Sequence, residues 1–124
     1  MTSEQELASF IRSTFRSVWT LELLLYLKER KDRAWRRTEL VQGLRASDSI
    51  ISNGTDSLLA AGLIIIEDDG AARYRPVSAD IEALAHDTET LYGQRPDAVR
   101  RLIVDPAADG GVTAFADAFR LRRD

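Results

Sequence analysis

The sequence holds a single histidine, His86, with Asp87 beside it. An imidazole next to a carboxylate is the start of general-base chemistry, but hydrolysis also needs a nucleophile on a strained turn and an oxyanion hole. No GxSxG or comparable element occurs, and neither a second histidine nor any cysteine is present to complete a metal site. The lack of cysteine also excludes disulfides and iron–sulfur clusters. Asp68-Asp69-Gly70 lacks the ligand spacing of a calcium loop and reads as a hairpin turn. Gly110-Gly111 has no lysine and no preceding buried strand, so it does not read as a phosphate-binding loop. The expectation is a chain with no enzymatic chemistry and no cofactor, which acts by binding.

Charge is what remains to bind with. The formal net charge is −3, against the basic character of a dedicated nucleic-acid binder. Its distribution is uneven: residues 28–45 hold seven basic side chains (Lys28, Arg30, Lys31, Arg33, Arg36, Arg37 and Arg45) against the acids Glu29, Asp32 and Glu39. A second basic segment, Arg120, Arg122 and Arg123, closes the chain. Lys28, Arg30 and Lys31 read as a solvated helix end that complements the helix dipole.

These groups must be positioned by one domain, residues 1–124, since the length suits a single hydrophobic core. Leu7, Phe10, Ile11, Phe15 and Val18 recur at spacings of three and four, predicting a helix from about Ser3 with one apolar stripe. Residues 18–27, VWTLELLLYL, are apolar almost all round, which requires a central helix wrapped by other elements. Whether Arg16-Ser17 separates these two helices is open. Ala34-Trp35 supplies a short strand or an anchoring aromatic. Thr38 reads as an N-cap ahead of Glu39, Leu40, Val41 and Leu44, and Ser47 as the cap of a helix that buries Ile51, Leu58 and Leu59. Gly54 inside that helix permits close approach of a partner or another helix, or is simply tolerated. Gly62 suits the left-handed closing position.

The β-branched run 63–66 and a second extended run with Tyr74, Pro76 and Val77 flank Asp69-Gly70, predicting a two-stranded wing. Ser78 then caps a helix carrying Ile81, Leu84, Ala85 and Leu91 that Gly93 ends. Pro96 opens another with Val99, Leu102 and Ile103 inside. Residues 105–111 read as a loop, followed by a last helix from about Val112 that buries Phe115 and Phe119. Trp19 and Trp35 at these spacings read as core or interface rather than as an effector pocket. The fold expected is mainly α with a small two-stranded β-hairpin. The first residues lack the pattern of a signal peptide and no window reaches about 18 continuous apolar residues, so the cytoplasm is the expected location.

Residues 18–77, in the order helix, extended piece, helix, turn, helix, hairpin, resemble the winged helix-turn-helix domain of bacterial transcriptional regulators of the MarR and ArsR kind. The most specific piece is Ser57-Leu58-Leu59-Ala60-Ala61-Gly62-Leu63-Ile64, similar to the passage in which such domains leave the recognition helix for the first wing strand. The resemblance covers about half the chain, with 3–17 and 78–124 as flanking helices of the kind through which these families dimerise. It implies a helix over 48–61 in the DNA major groove that presents Asp48, Ser49, Ser52, Asn53 and Asp56, with Asn53 suited to a bidentate adenine contact.

Around that helix, phosphate contact and plain solvated surface are both open for Arg36, Arg37 and Arg45. Ser47 at the cap and Arg73 and Arg75 on the returning strand complete the expected DNA-binding set. The sequence departs from the pattern in one respect: the helix carries no Lys or Arg, and the wing turn Glu67-Asp68-Asp69 is acidic. The leading expectation is a sequence-specific DNA-binding regulator acting as a homodimer through Leu7, Phe10, Ile11, Phe15, Phe115 and Phe119. The alternative is an adaptor whose acidic recognition helix and wing bind a regulatory or transcription protein.

Overall fold

A computed structural model describes residues 3–104. The expected helix at about Val112, with Phe115 and Phe119, lies outside the described residues. Helix α1 (Glu4–Thr14) begins where expected, with a capping box in which the Ser3 hydroxyl accepts from the Glu6 N–H at 3.0 Å and the Glu6 carboxylate accepts from the Ser3 N–H at 3.2 Å. The junction left open at Arg16-Ser17 is a true break. Phe15 turns into extended backbone and sets its ring edge-on against Phe10 at 5.9 Å, and Ser17 caps α2 (Val18–Glu29). Helix α2 is the central one, with Leu21, Leu23, Leu24 and Leu27 fully buried.

The expected dimer stripe needs correction. Phe10, Ile11 and Phe15 belong to the chain's own core, because α1 folds back against α5 (Ala79–Gln94) and α6 (Pro96–Val104), where Ala85, Val99 and Ile103 meet them. Leu7 is half-buried against the same core. An amphipathic stripe demands a cover, and here the cover comes from the same chain.

After α2, Trp35 makes a two-way backbone bridge with Ala72 (2.7 and 2.8 Å) and also anchors its ring. Tyr26 meets that ring edge-on at 5.6 Å, the Arg33 guanidinium stacks over it at 3.4 Å, and its indole N–H donates to the Arg30 carbonyl. Helix α3 (Arg37–Leu44) starts one to two residues before the expected Thr38 cap. The capping position is Arg36, whose N–H donates to the Glu39 carboxylate at 2.8 Å, and Thr38 lies inside the first turn. Arg45 closes α3 in the left-handed region at φ 56°. Ser47 then caps α4 (Asp48–Ala60), its hydroxyl accepting from the Ile50 N–H at 3.2 Å.

Gly54 is where α4 meets α2: a Cβ there would lie 2.8 Å from Leu23 Cδ2, so the close approach is to another helix of the same chain. Gly62 leaves α4 at φ 77°. Strands β1 (Ile64–Ile66) and β2 (Ala72–Tyr74) pair antiparallel with Ile64 opposite Tyr74 and Ile65 opposite Arg73. The regular strand stops short of the expected Pro76 and Val77. Backbone bonds from Arg75 N–H to Leu63 O and from Val77 N–H to Gly62 O carry the pairing on, while Pro76 has no N–H to give. Ser78 caps α5 as expected, but the helix runs through Gly93 to Gln94. There Thr88 is buried and Tyr92 donates to Glu22 of α2 at 2.7 Å, so contacts on the last turns keep it helical.

The fold is thus mainly α with one small hairpin, and its middle runs in the order α2, the Trp35 bridge, α3, α4, β1, β2. Helices α1, α5 and α6 pack as one layer behind α2. Lys28, expected to be a solvated helix end, instead ties α2 to α5 through Glu89 at 2.7 Å. No helix among the described residues is long and apolar enough to cross a membrane.

Candidate nucleic-acid interface

Helix α4 buries Ile51, Gly54 and Leu58 against α2, which fixes its rotation. The opposite face is then Asp48, Ser49, Asn53 and Asp56, all exposed, with Ser52 half-buried beside them. Ser47 is exposed but its hydroxyl is engaged in the cap, within 3.4 Å of the Ser49 hydroxyl. The outer face therefore offers hydroxyl, amide and carboxylate groups and no cation.

The cations come from neighbouring elements, and most of them already have a partner. Arg37, the first residue of α3, places Nε 3.2 Å from Asp48 Oδ1 at the first turn of α4. Arg36 reaches the wing turn, with a guanidinium nitrogen 3.7 Å from Asp69 Oδ2. Arg73 Nε, itself shielded from solvent, lies 3.6 Å from Glu67 Oε2 across the hairpin. Arg45 and Arg75 are exposed and form no ion pair among the described residues. The start of α3 is braced separately: Arg33 grips both oxygens of Glu39 at 3.3 and 3.0 Å, and this guanidinium, together with the Arg36 N–H, holds the Glu39 carboxyl below its ordinary range.

Of the expected set, Ser49, Ser52 and Asn53 lie on α4 with Ser47 at its cap, Arg37 reaches its first turn through Asp48, Arg36 reaches the β1–β2 turn through Asp69, Arg45 sits in the turn between α3 and α4, and Arg73 and Arg75 lie on and just after β2. These five arginines stand against Asp48, Asp56, Glu67, Asp68 and Asp69, so the formal charge of the set is zero. Exposed pairs of this kind contribute roughly 0–1 kcal/mol each, weak enough for a phosphate to displace the carboxylate.

Comparison with family models, curated proteins and solved structures gives no match. The functional reading rests on this chain's own geometry.

One residue escaped the sequence pattern. Arg16, in the α1–α2 turn, is exposed and lines a cleft of about 410 Å³ between the start of α2 and α4, opposite Asn53 and Asp56. Nothing in the sequence marks it, because its position depends on how α4 crosses α2. His86 stays on the exposed surface of α5.

Proposed function

We propose that the chain is a cytoplasmic winged-helix DNA-binding regulator that lays α4 in the major groove. The observation that carries this is the outer face of α4: among the described residues no element packs over Ser49 or Asn53, and Arg37 is held at its N-terminal end by the 3.2 Å contact to Asp48. An α-helix presented with an open polar face suits the major groove, where Asn53 can accept from and donate to one adenine edge and Ser49 can bond a base or phosphate. Arg36, Arg37 and Arg45 at the start and turn of the motif are then backbone contacts, and Arg73 and Arg75 follow the backbone from the wing. No reaction is assigned to the chain.

With a face of zero formal charge, non-specific affinity is modest and base contacts carry a large share of discrimination. The test is selection of duplexes from a random library at about 50 mM salt, followed by binding of the enriched sequence and a scrambled control. Enrichment of a defined site that Asn53→Ala relaxes at one base pair supports the assignment.

A second reading is favoured by the acids on the same face: an adaptor that docks a basic protein surface on α4 and the wing. It takes the place of the first if no duplex is enriched while a basic partner binds and loses affinity when Asp56 and Asp68 are neutralised.

A further inference from the structure

Arg16 has no place in the expected binding set, yet the fold puts it beside the proposed base-reading face. It precedes Ser17, the cap of α2, and shares a cleft with Asn53 and Asp56 because Gly54 lets α4 lie close against α2. Its side chain is exposed and makes no ion pair among the described residues, and no bridge within 4.0 Å joins it to Asp56 across the cleft. Arg37 marks one end of α4, through Asp48, whereas Arg16 flanks the helix one to two turns further along at Asn53 and Asp56.

We propose that Arg16 is a phosphate-binding residue of this protein, one that grips the DNA backbone along the α2 side of α4 while Arg36 and Arg37 grip it from the α3 side. This rests on the DNA-binding reading above.

The energetic reason is the pairing pattern. When Arg36 or Arg37 meets a phosphate, it exchanges one anion for another, Asp69 or Asp48, and the net gain is small. Arg16 meets a phosphate with no pair to break among the described residues, as do Arg45 and Arg75. These three unpaired arginines therefore dominate the electrostatic part of binding, and the paired ones contribute less than their position suggests. Asp56, three residues beyond Asn53 on the same cleft, opposes Arg16 and limits what it delivers.

The experiment is fluorescence anisotropy of a labelled duplex, the enriched site or a random one, titrated with the full chain from 50 to 200 mM potassium chloride. Arg16→Ala is expected to flatten the slope of log K against log salt by about one, so that affinity lost over this fourfold range is smaller by a factor of about 3.5 than for the wild type. Arg101→Ala, an exposed arginine on α6, is expected to leave the slope unchanged, and Asp56→Asn to tighten binding severalfold. A wild type that binds with a salt slope which Arg16→Ala does not alter overturns the Arg16 assignment and leaves the DNA-binding reading intact. A wild type with no salt-dependent binding overturns both. A circular dichroism melt shows whether Arg16→Ala folds as the wild type does, and Arg16→Lys, which keeps the charge, is expected to restore the slope.

Discussion

Arg37 Nε sits 3.2 Å from Asp48 Oδ1, joining the first residue of α3 to the first residue of α4 across the turn between them. Both side chains are more than half exposed, so the pair contributes little to stability. Its consequence is electrostatic: the carboxylate occupies the arginine at the start of α3, and Asp69 does the same to Arg36.

On the proposed DNA-binding reading, neutralising both carboxylates is expected to strengthen binding to DNA. Asp48→Asn with Asp69→Asn is expected to raise affinity about tenfold or more at 50 mM salt and to steepen the salt slope, with the melting temperature nearly unchanged. Asparagine at position 48 keeps a good first-turn geometry, so a loss of binding here speaks against the α4 face contacting DNA.

Arg45 holds φ 56°, the only described non-glycine residue with positive φ. A side chain in this region costs roughly 1–2 kcal/mol that glycine does not incur, and such strain persists where a side chain has work to do. Arg45→Gly is expected to raise unfolding stability by about 1 kcal/mol in urea while weakening DNA binding. Stability and binding moving in the same direction would contradict the assignment of Arg45 to phosphate contact.

Gly54→Ala tests the close crossing of α4 and α2. The added methyl meets Leu23 Cδ2 within a core where Leu23 is 1% exposed, so despite the better helix propensity of alanine the substitution is expected to cost about 1–3 kcal/mol. A neutral or stabilising outcome in a denaturant titration would mean the two helices are not tightly locked.

Tyr74 tests the core beneath the wing. Its hydroxyl is shielded and has no hydrogen-bond partner among the described residues, and burial, reinforced by Glu82 and Glu89, pushes its pKa to about 12. The folded state keeps this proton while the unfolded chain releases it near pH 10, so stability falls as pH rises between about 10 and 12. Tyr74→Phe is expected to be neutral or stabilising by up to about 1 kcal/mol at pH 7 and to lessen the alkaline loss. Equal alkaline sensitivity in the two proteins would refute this.

Legibility in the sequence followed the range of the interaction. Ser3, Ser47 and Ser78 were readable as caps, and Gly62 and Asp69-Gly70 as turns, because each acts on backbone groups a few residues away. Thr38 misled because a glutamate one position on could reach back to Arg36, which two competing local signals could not rank. Gly93 misled for another reason: Tyr92 and its bond to Glu22, seventy residues away, hold the last turn of α5. The stripe Phe10, Ile11, Phe15 showed that something covers α1 but not what, since a stripe has the same pattern against a second copy or the same chain. At the candidate site, residue types and the helix they occupy were legible. The pairing of Arg36 with Asp69, the pairing of Arg37 with Asp48 and the position of Arg16 were not, because they follow from tertiary packing.

The central claim is that the α4 face binds DNA, and the most direct measurement is the salt dependence of wild-type binding to duplex DNA by anisotropy. Arg16, Arg45 and Arg75 alone imply a slope of log K against log salt of about −3, steeper if Arg36 and Arg37 exchange their carboxylates for phosphates. A slope near that value, with Asn53→Ala altering preference at one base pair but not the slope, is the predicted result. A slope near zero, or no binding at 50 mM salt, would contradict the claim.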